Sequence, residues 1–218
     1  PSVVLRYSPH IYHIYCYTSN HMLLSDRDIK KAIAKGRIKI TPKPNFKKQL
    51  GSCSIDFHLG NRFRVFKHST HPFIDLMSDV DVASIMEEVV IPKGKPFILQ
   101  PGDFAIATTV ERLKLASDIA GRIEGRSSLG RLGIIVHSTA GLFDPGWDGK
   151  PTMELGNLGV MPVTLYPGMR ICAFTFEEVS SKVEVPYSKK KGAKYAGAKN
   201  ADASKLGKEV KQEVKKGK

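Results

Sequence analysis

Hydrophobic spacing divides the chain into a short helical stretch and a long β-like one. Near the start, Ser25-Asp-Arg-Asp28 reads as a capping box, with Ser25 accepting from first-turn amides and acidic residues at the positive helix end. Ile29, Ala32 and Ile33 form one apolar stripe and Gly36 stops it, which predicts a short amphipathic helix whose work is packing. From about residue 53 the apolar residues come in short runs: 63–66, 97–100, 104–110, 119–124, 134–137, 151–155, 163–165 and 171–176. Pro101-Gly102, Pro145-Gly146 and Pro167-Gly168 separate several of them as turns. A second helix is predicted over 80–86. The pattern implies a mainly β protein, an antiparallel barrel or sandwich with one or two helices. No repeat of solenoid length interrupts it.

Composition narrows the class. A chain of 218 residues suits one compact domain, and 41% hydrophobic with 25% charged residues excludes wholesale disorder, collagen and coiled coil. The net charge of +13 is uneven, because residues 188–218 carry eleven Lys against Asp202, Glu209 and Glu213. This Lys-, Gly- and Ala-rich segment reads as mobile in the free protein, its first part able to order on a ligand and its Lys run a solvated extension rather than a shaped nucleic-acid face. Cys16, Cys53 and Cys172 are odd in number and far apart, so they imply neither a disulfide framework nor a Cys-x-x-Cys metal pair. A reducing cytoplasm fits them. No apolar stretch approaches the roughly 20 residues of a membrane-spanning helix. Residues 1–21 share no pattern with the rest of the chain and are expected to be a leader outside the fold, with Met22 as the functional start. The folded domain is expected over 22–187.

The densest polar cluster is Gly125-Arg-Ser-Ser-Leu-Gly-Arg131, with two guanidinium forks, two hydroxyls and flexible backbone. That inventory suits a polyphosphate gripped by charge-assisted bonds, and equally a solvated turn. Walker spacing and the dinucleotide fingerprint are both absent. Glu154 lies between Met153 and Leu155 in a strand-like run, so it points away from them, either to solvent or into a pocket. A partly buried Glu in a pocket can exchange protons near neutral pH. Asp144 before Pro145-Gly146 suits a turn residue, His137 a satisfied strand-end histidine, and Trp147 a packing aromatic.

Taken together, several motifs resemble the dCTP deaminase branch of the dUTPase-like superfamily. They are Gly125-Arg-Ser-Ser-Leu-Gly-Arg-Leu-Gly133, His137-x-Thr-Ala-Gly141, Asp144-Pro-Gly-Trp147, the Glu154 strand and Leu165-x-Pro-Gly-Met169. The likeness extends upstream to Met22-Leu-Leu-Ser-Asp-Arg-Asp-Ile29, Ser54-Ile-Asp-Phe-His-Leu-Gly60 and Phe73-Ile-Asp-Leu76, and downstream to Val185-Pro-Tyr187 and Lys194-Tyr195. It implies a distorted β-barrel or jelly-roll protomer, a homotrimer with sites at subunit interfaces, and dCTP as substrate. It also implies Mg²⁺ held mainly by the triphosphate, without protein side-chain ligands, and dTTP as a candidate feedback inhibitor. By resemblance, Glu154 would take a proton from water attacking cytosine C4, with Ser127 and Arg131 holding that water or the amino group. Arg126, Ser127, Ser128, Leu129, Gly130 and Arg131 match triphosphate-binding positions. Asp144, Thr152, Met153 and Glu154 match sugar and base contacts, and Tyr187 and Lys194 match a closing C-terminal segment. Where relatives often have Gln shortly after the Lys-Tyr pair, this chain has Ala198.

Zinc-dependent cytosine deaminases carry His-x-Glu and Pro-Cys-x-x-Cys, and neither occurs here, so zinc-independent chemistry is expected. Some members of the resembled family release dUTP and others continue to dUMP and pyrophosphate. Gly141 resembles the second type, because members that stop at dUTP tend to carry a bulky residue there, and Asp144 is then the candidate base for triphosphate cleavage. A plain dUTPase, a basic nucleic-acid-binding module and a non-catalytic regulatory protein on the same fold are the rival readings.

Overall fold

The computed structural model describes residues 22–67, 73–77 and 81–216; the expected leader over 1–21 lies outside the described residues. In chain order, α1 (Asp26–Ala34) leads into β1 (Ile38–Thr41), α2 (Phe46–Gln49), β2 (Ile55–Phe66), a 3₁₀ turn (Val82–Ile85), β3 (Met86–Val90), β4 (Phe97–Leu99), β5 (Phe104–Thr109), β6 (Arg112–Leu115) and β7 (Ile119–Gly125). The one-turn α3 (Ser127–Gly130) is next, then β8 (Ile134–Ile135), β9 (Leu142–Phe143), β10 (Asp148–Gly149), β11 (Thr152–Asn157), β12 (Val163–Leu165), β13 (Arg170–Glu178), a second 3₁₀ turn (Tyr187–Lys189) and α4 (Gly207–Lys216). The predicted mainly β architecture is present, as a curled half-barrel with few helices.

The main sheet runs β8-β11-β5-β2-β13-β7-β9, and β3 also pairs with β2; all its pairings are antiparallel. β2 organises it, because its first half pairs with β13 and its second half with both β3 and β5. The register slips between Leu59 and Phe63, where a Cβ on Gly60 would lie 2.7 Å from the Thr108 carbonyl oxygen. Only glycine fits that close approach. Alternation buries Ile55, Phe57 and Leu59 from β2, and Cys172, Phe174 and Phe176 from β13. Phe57 and Phe143 close on Phe174 with ring centroids 4.7 and 5.0 Å away. Each fully buried aromatic of this kind contributes about 1.5–3 kcal/mol over an exposed one.

α1 forms as predicted: the Asp28 amide donates to Ser25 Oγ at 3.4 Å, Ser25 Oγ donates to the Asp28 carboxylate at 2.9 Å, and Ile29 and Ala32 are buried. Lys31 beside it and the Ser25 bond hold the Asp28 carboxyl below its ordinary value. The helix predicted over 80–86 is corrected to the 3₁₀ turn followed by β3. Asp81 caps the turn by accepting from the Ala83 amide at 3.1 Å, and the Val89-Val90 pair suits the strand that registers on β2. Among the described residues, no helix is long and apolar enough to cross a membrane.

Candidate active site

β11 builds the centre of the site by alternation. Met153 and Leu155 are fully buried, while Thr152 and Glu154 face the other way and line a cleft of about 540 Å³. Glu154 therefore takes the pocket orientation of the two the sequence allowed. The Ser138 amide donates to its Oε2 at 3.0 Å, anchoring one carboxylate oxygen to the loop after β8. Among the described residues, Oε1 has no hydrogen-bond partner. Ile106 of β5 stands opposite Glu154 in the ladder, and with Phe66, Met86 and Phe104 it forms an apolar wall.

Asp144 enters the same cleft through a turn. The Trp147 amide donates to the Asp144 carbonyl at 3.0 Å, and Gly146 has φ +84°. A Cβ at Gly146 would sit 2.4 Å from Pro186 Cβ, so glycine lets the turn clamp the chain at Pro186. The Tyr187 amide donates to the Pro145 carbonyl at 2.9 Å, which brings Tyr187 beside Asp144. Trp147 is a packing aromatic, edge-on to Phe143 at 5.0 Å and 5.2 Å from Tyr187. His137 differs from the satisfied histidine expected: its Nδ1 is buried without a hydrogen-bond partner among the described residues.

The C-terminal segment returns over the cleft along β10. The Gly197 amide donates to the Asp148 carbonyl at 2.9 Å, and the Lys150 amide to the Ala198 carbonyl at 2.8 Å. A Cβ on Gly149 would lie 3.2 Å from the Ala198 backbone, so this contact is close, and Ala198 is buried in it. Ala201 and Ala203 then bury against Met86 and Ile106. This path delivers Tyr195, Asp202 and Ser204 to the cleft, three residues that sequence reasoning missed. Tyr195 stands next to Lys194 in the matched pair, a usable signal; Asp202 and Ser204 carry none. Lys194 pairs instead with Glu209 of α4 and does not line the cleft.

The 126–131 residues form a separate surface. Leu129 anchors α3 in the core, whereas Ser127, Ser128, Gly130 and Arg131 are exposed and Arg126 is half-buried. None of them lines the cleft, whose charged lining residues are Asp144, Glu154 and Asp202. Such a cleft can host proton transfer on a neutral base but repels a polyphosphate. Among the described residues, no group of three or more His, Cys, Asp or Glu comes together to hold a metal.

A family model described as dCTP deaminase-like matches residues 23–179. The dCTP deaminase of Thermomicrobium roseum is 57% identical over 196 residues, covering 90% of this chain and 100% of that protein. The dUMP-forming dCTP deaminase of Dictyoglomus thermophilum is 50% identical over 185 residues, covering 85% of this chain and 95% of that protein. In fold, the crystal structure of the dCTP deaminase from Agrobacterium tumefaciens superposes with a TM-score of 0.56 at 21% identity, over 72% of this chain and 48% of that one. With the family model spanning most of the chain and close relatives matched nearly end to end, the protein belongs to the dCTP deaminase-like family.

Proposed function

We propose that the protein deaminates dCTP at cytosine C4 without zinc and then cleaves the product to dUMP and pyrophosphate. The observation that carries this reading is Glu154, held by the Ser138 amide with its second oxygen unpartnered among the described residues, in a largely apolar cleft. Glu154 takes a proton from water as the water oxygen bonds to C4. It passes that proton to N3, and after a second transfer the C4–N4 bond breaks and ammonia leaves. A positioned carboxylate contributes about 10²- to 10⁴-fold to such a step. Thr152 and Tyr187, in the same cleft, are the base and sugar contacts of this reading.

Ser127 and Arg131 take part from a neighbouring copy. This is supported by the charge of the cleft, where carboxylates need cations from elsewhere before a triphosphate can settle. A homotrimer, in which each α3 surface meets the next protomer's cleft, is the arrangement that supplies them. Magnesium would arrive with the triphosphate, the usual mode for this ion, and would neutralise part of its charge. For the second reaction Asp144 is the base: water bonds to the α-phosphorus, the α–β bridging bond breaks, and pyrophosphate leaves dUMP behind. The dUMP-forming activity of the Dictyoglomus relative supports this step, as does Gly141, whose Cβ would crowd His137 Cε1 and the Ile123 carbonyl at 3.3 Å. The protein would work in the cytoplasm, in keeping with Cys53 and Cys172 both being unpaired.

Incubating the purified protein with dCTP and Mg²⁺ and resolving the products by anion exchange tests the reading. Ammonia with dUMP and pyrophosphate is the expected outcome. Accumulating dUTP would confine the protein to deamination, and no turnover of dCTP would overturn the assignment.

A further inference from the structure

Arg126 comes directly after β7, and Asp56 lies in β2 on the other side of β13: Gly125 pairs with Cys172 and Asp56 with Ala173. Their backbones are about two strand spacings apart, roughly 10 Å. The arginine side chain closes that gap across β13. Its Nη1 donates to the Arg170 carbonyl at 3.1 Å, and its Nη2 lies 3.6 Å from Asp56 Oδ2. The same carboxylate oxygen accepts from Arg170 Nη1 at 3.0 Å, and that nitrogen also donates to the Lys48 carbonyl at 2.9 Å. Two guanidiniums thus converge on one carboxylate oxygen, and the side chain of Asp56 is 18% exposed. Strand pairing does not need this carboxylate, because the Asp56 backbone is already in the ladder with β13.

We propose that Asp56 is a positioning residue for nucleotide binding, which pins Arg126 across the start of β13 so that its remaining donors are ready for the polyphosphate. This rests on the reading of Arg126 as a triphosphate contact. A guanidinium has five N–H donors, and the hydrogen bond to the Arg170 carbonyl with the 3.6 Å ion pair to Asp56 leaves several uncommitted. One carboxylate against two cations leaves the cluster net positive, so it attracts an anion while Arg126 is already ordered. An untethered arginine would lose its rotamer freedom only when the ligand bound, at a cost in affinity. With Asp56 neutralised, the two guanidiniums lose their common counter-charge and Arg126 keeps only its bond to the Arg170 carbonyl.

The test is a cycle of Asp56→Asn, Arg126→Ala and the double variant, measured by KM and kcat for dCTP, affinity for inorganic tripolyphosphate by calorimetry, and thermal melting. Asp56→Asn should raise KM and weaken tripolyphosphate binding by about tenfold each, with kcat within about threefold of the parent. Added to Arg126→Ala it should change either quantity by less than about twofold, because its effect passes through that arginine. Equal losses in both backgrounds would overturn the proposal. So would a fall in kcat and melting temperature with tripolyphosphate affinity intact, which would make Asp56 a scaffold residue. If Arg126→Ala itself leaves tripolyphosphate affinity unchanged, the reading of Arg126 as a phosphate contact fails, and the role of Asp56 falls with it. Should Asp56→Asn not fold, Asp56→Glu keeps the charge and moves the carboxylate by one methylene. A loss of about threefold in tripolyphosphate affinity is then expected, and no loss would assign the charge to the scaffold.

Discussion

The cleft and the α3 surface are made in opposite ways. Strands β5 and β11 and the 144–147 turn hold the cleft's side chains, its charged members are carboxylates, and the C-terminal segment covers it. The α3 surface is a single turn of helix anchored by Leu129, with hydroxyls and guanidiniums exposed around it. A deoxynucleoside triphosphate has the same division, a neutral base at one end and a dense negative charge at the other. On the proposed function, each region takes one end. On that reading, the difference teaches that a rigid sheet suits the placing of a proton within a hydrogen bond's tolerance, and an exposed turn suits a charged ligand arriving from solvent.

The largest effect should come from the cleft. Glu154→Gln is expected to lower kcat by roughly 10²- to 10⁴-fold while nucleotide affinity stays within about threefold. Normal deamination in that variant would remove Glu154 from the mechanism and leave the cleft without its defining role. Next, Arg131→Ala should be nearly inactive alone, yet mixing it with Glu154→Gln in refolded oligomers should restore turnover. In a random equal mixture about a quarter of sites would join an intact cleft to an intact α3 turn. Complete inactivity of the mixture would mean that one chain supplies both regions.

Smaller changes sharpen the contrast between rigid and exposed parts. Gly146→Ala should destabilise the protein by roughly 1–3 kcal/mol, read as a lower melting temperature, and should also raise KM by displacing Tyr187. An unchanged melt would show that the turn yields more easily than its contacts imply. Removing 207–218 deletes α4 and the Lys194–Glu209 pair, an exposed ion pair of small energetic weight, so KM should move by less than about threefold. The smallest expected effect concerns thiols. Burial holds the Cys172 thiol well above its ordinary value, so it stays protonated at pH 8, while Cys53 is only half-buried. Iodoacetamide at pH 8 should therefore label Cys53 ahead of Cys172, which reacts only once the protein unfolds, as mass spectrometry would show.

Legibility in the sequence tracked how local each determinant is. Capping by Ser25, the Pro-Gly turns and the alternation of 171–176 act over a few residues, and the helix and most strands were readable for that reason. β1, β3, β6, β9 and β10 were not foreseen, because their assignment depends on pairing with partners elsewhere in the chain. The first half of β2 was also missed as a strand, although Ile55, Phe57 and Leu59 alternate with Asp56 and His58 as in a half-buried strand. Those two residues face partners that appear only in the fold. His58 donates its amide to the buried Glu111 carboxylate at 2.8 Å, and its ring contacts the same group at 2.5 Å.

By itself, then, the sequence determined the mainly β class, the short capped helix and the identity of the polar clusters at 125–131 and 144–154, since each is written in spacing and residue type over a short span. It also determined that Glu154 opposes Met153 and Leu155. Only the tertiary structure decided that a cleft lies on that side, that Tyr195, Asp202 and Ser204 return to it, that Arg126–Arg131 stand apart from it, and that Asp56 reaches Arg126 across β13. The physical reason is that a strand's period sets which way a side chain points, whereas what it meets there depends on segments brought back from far along the chain by burial of a common core.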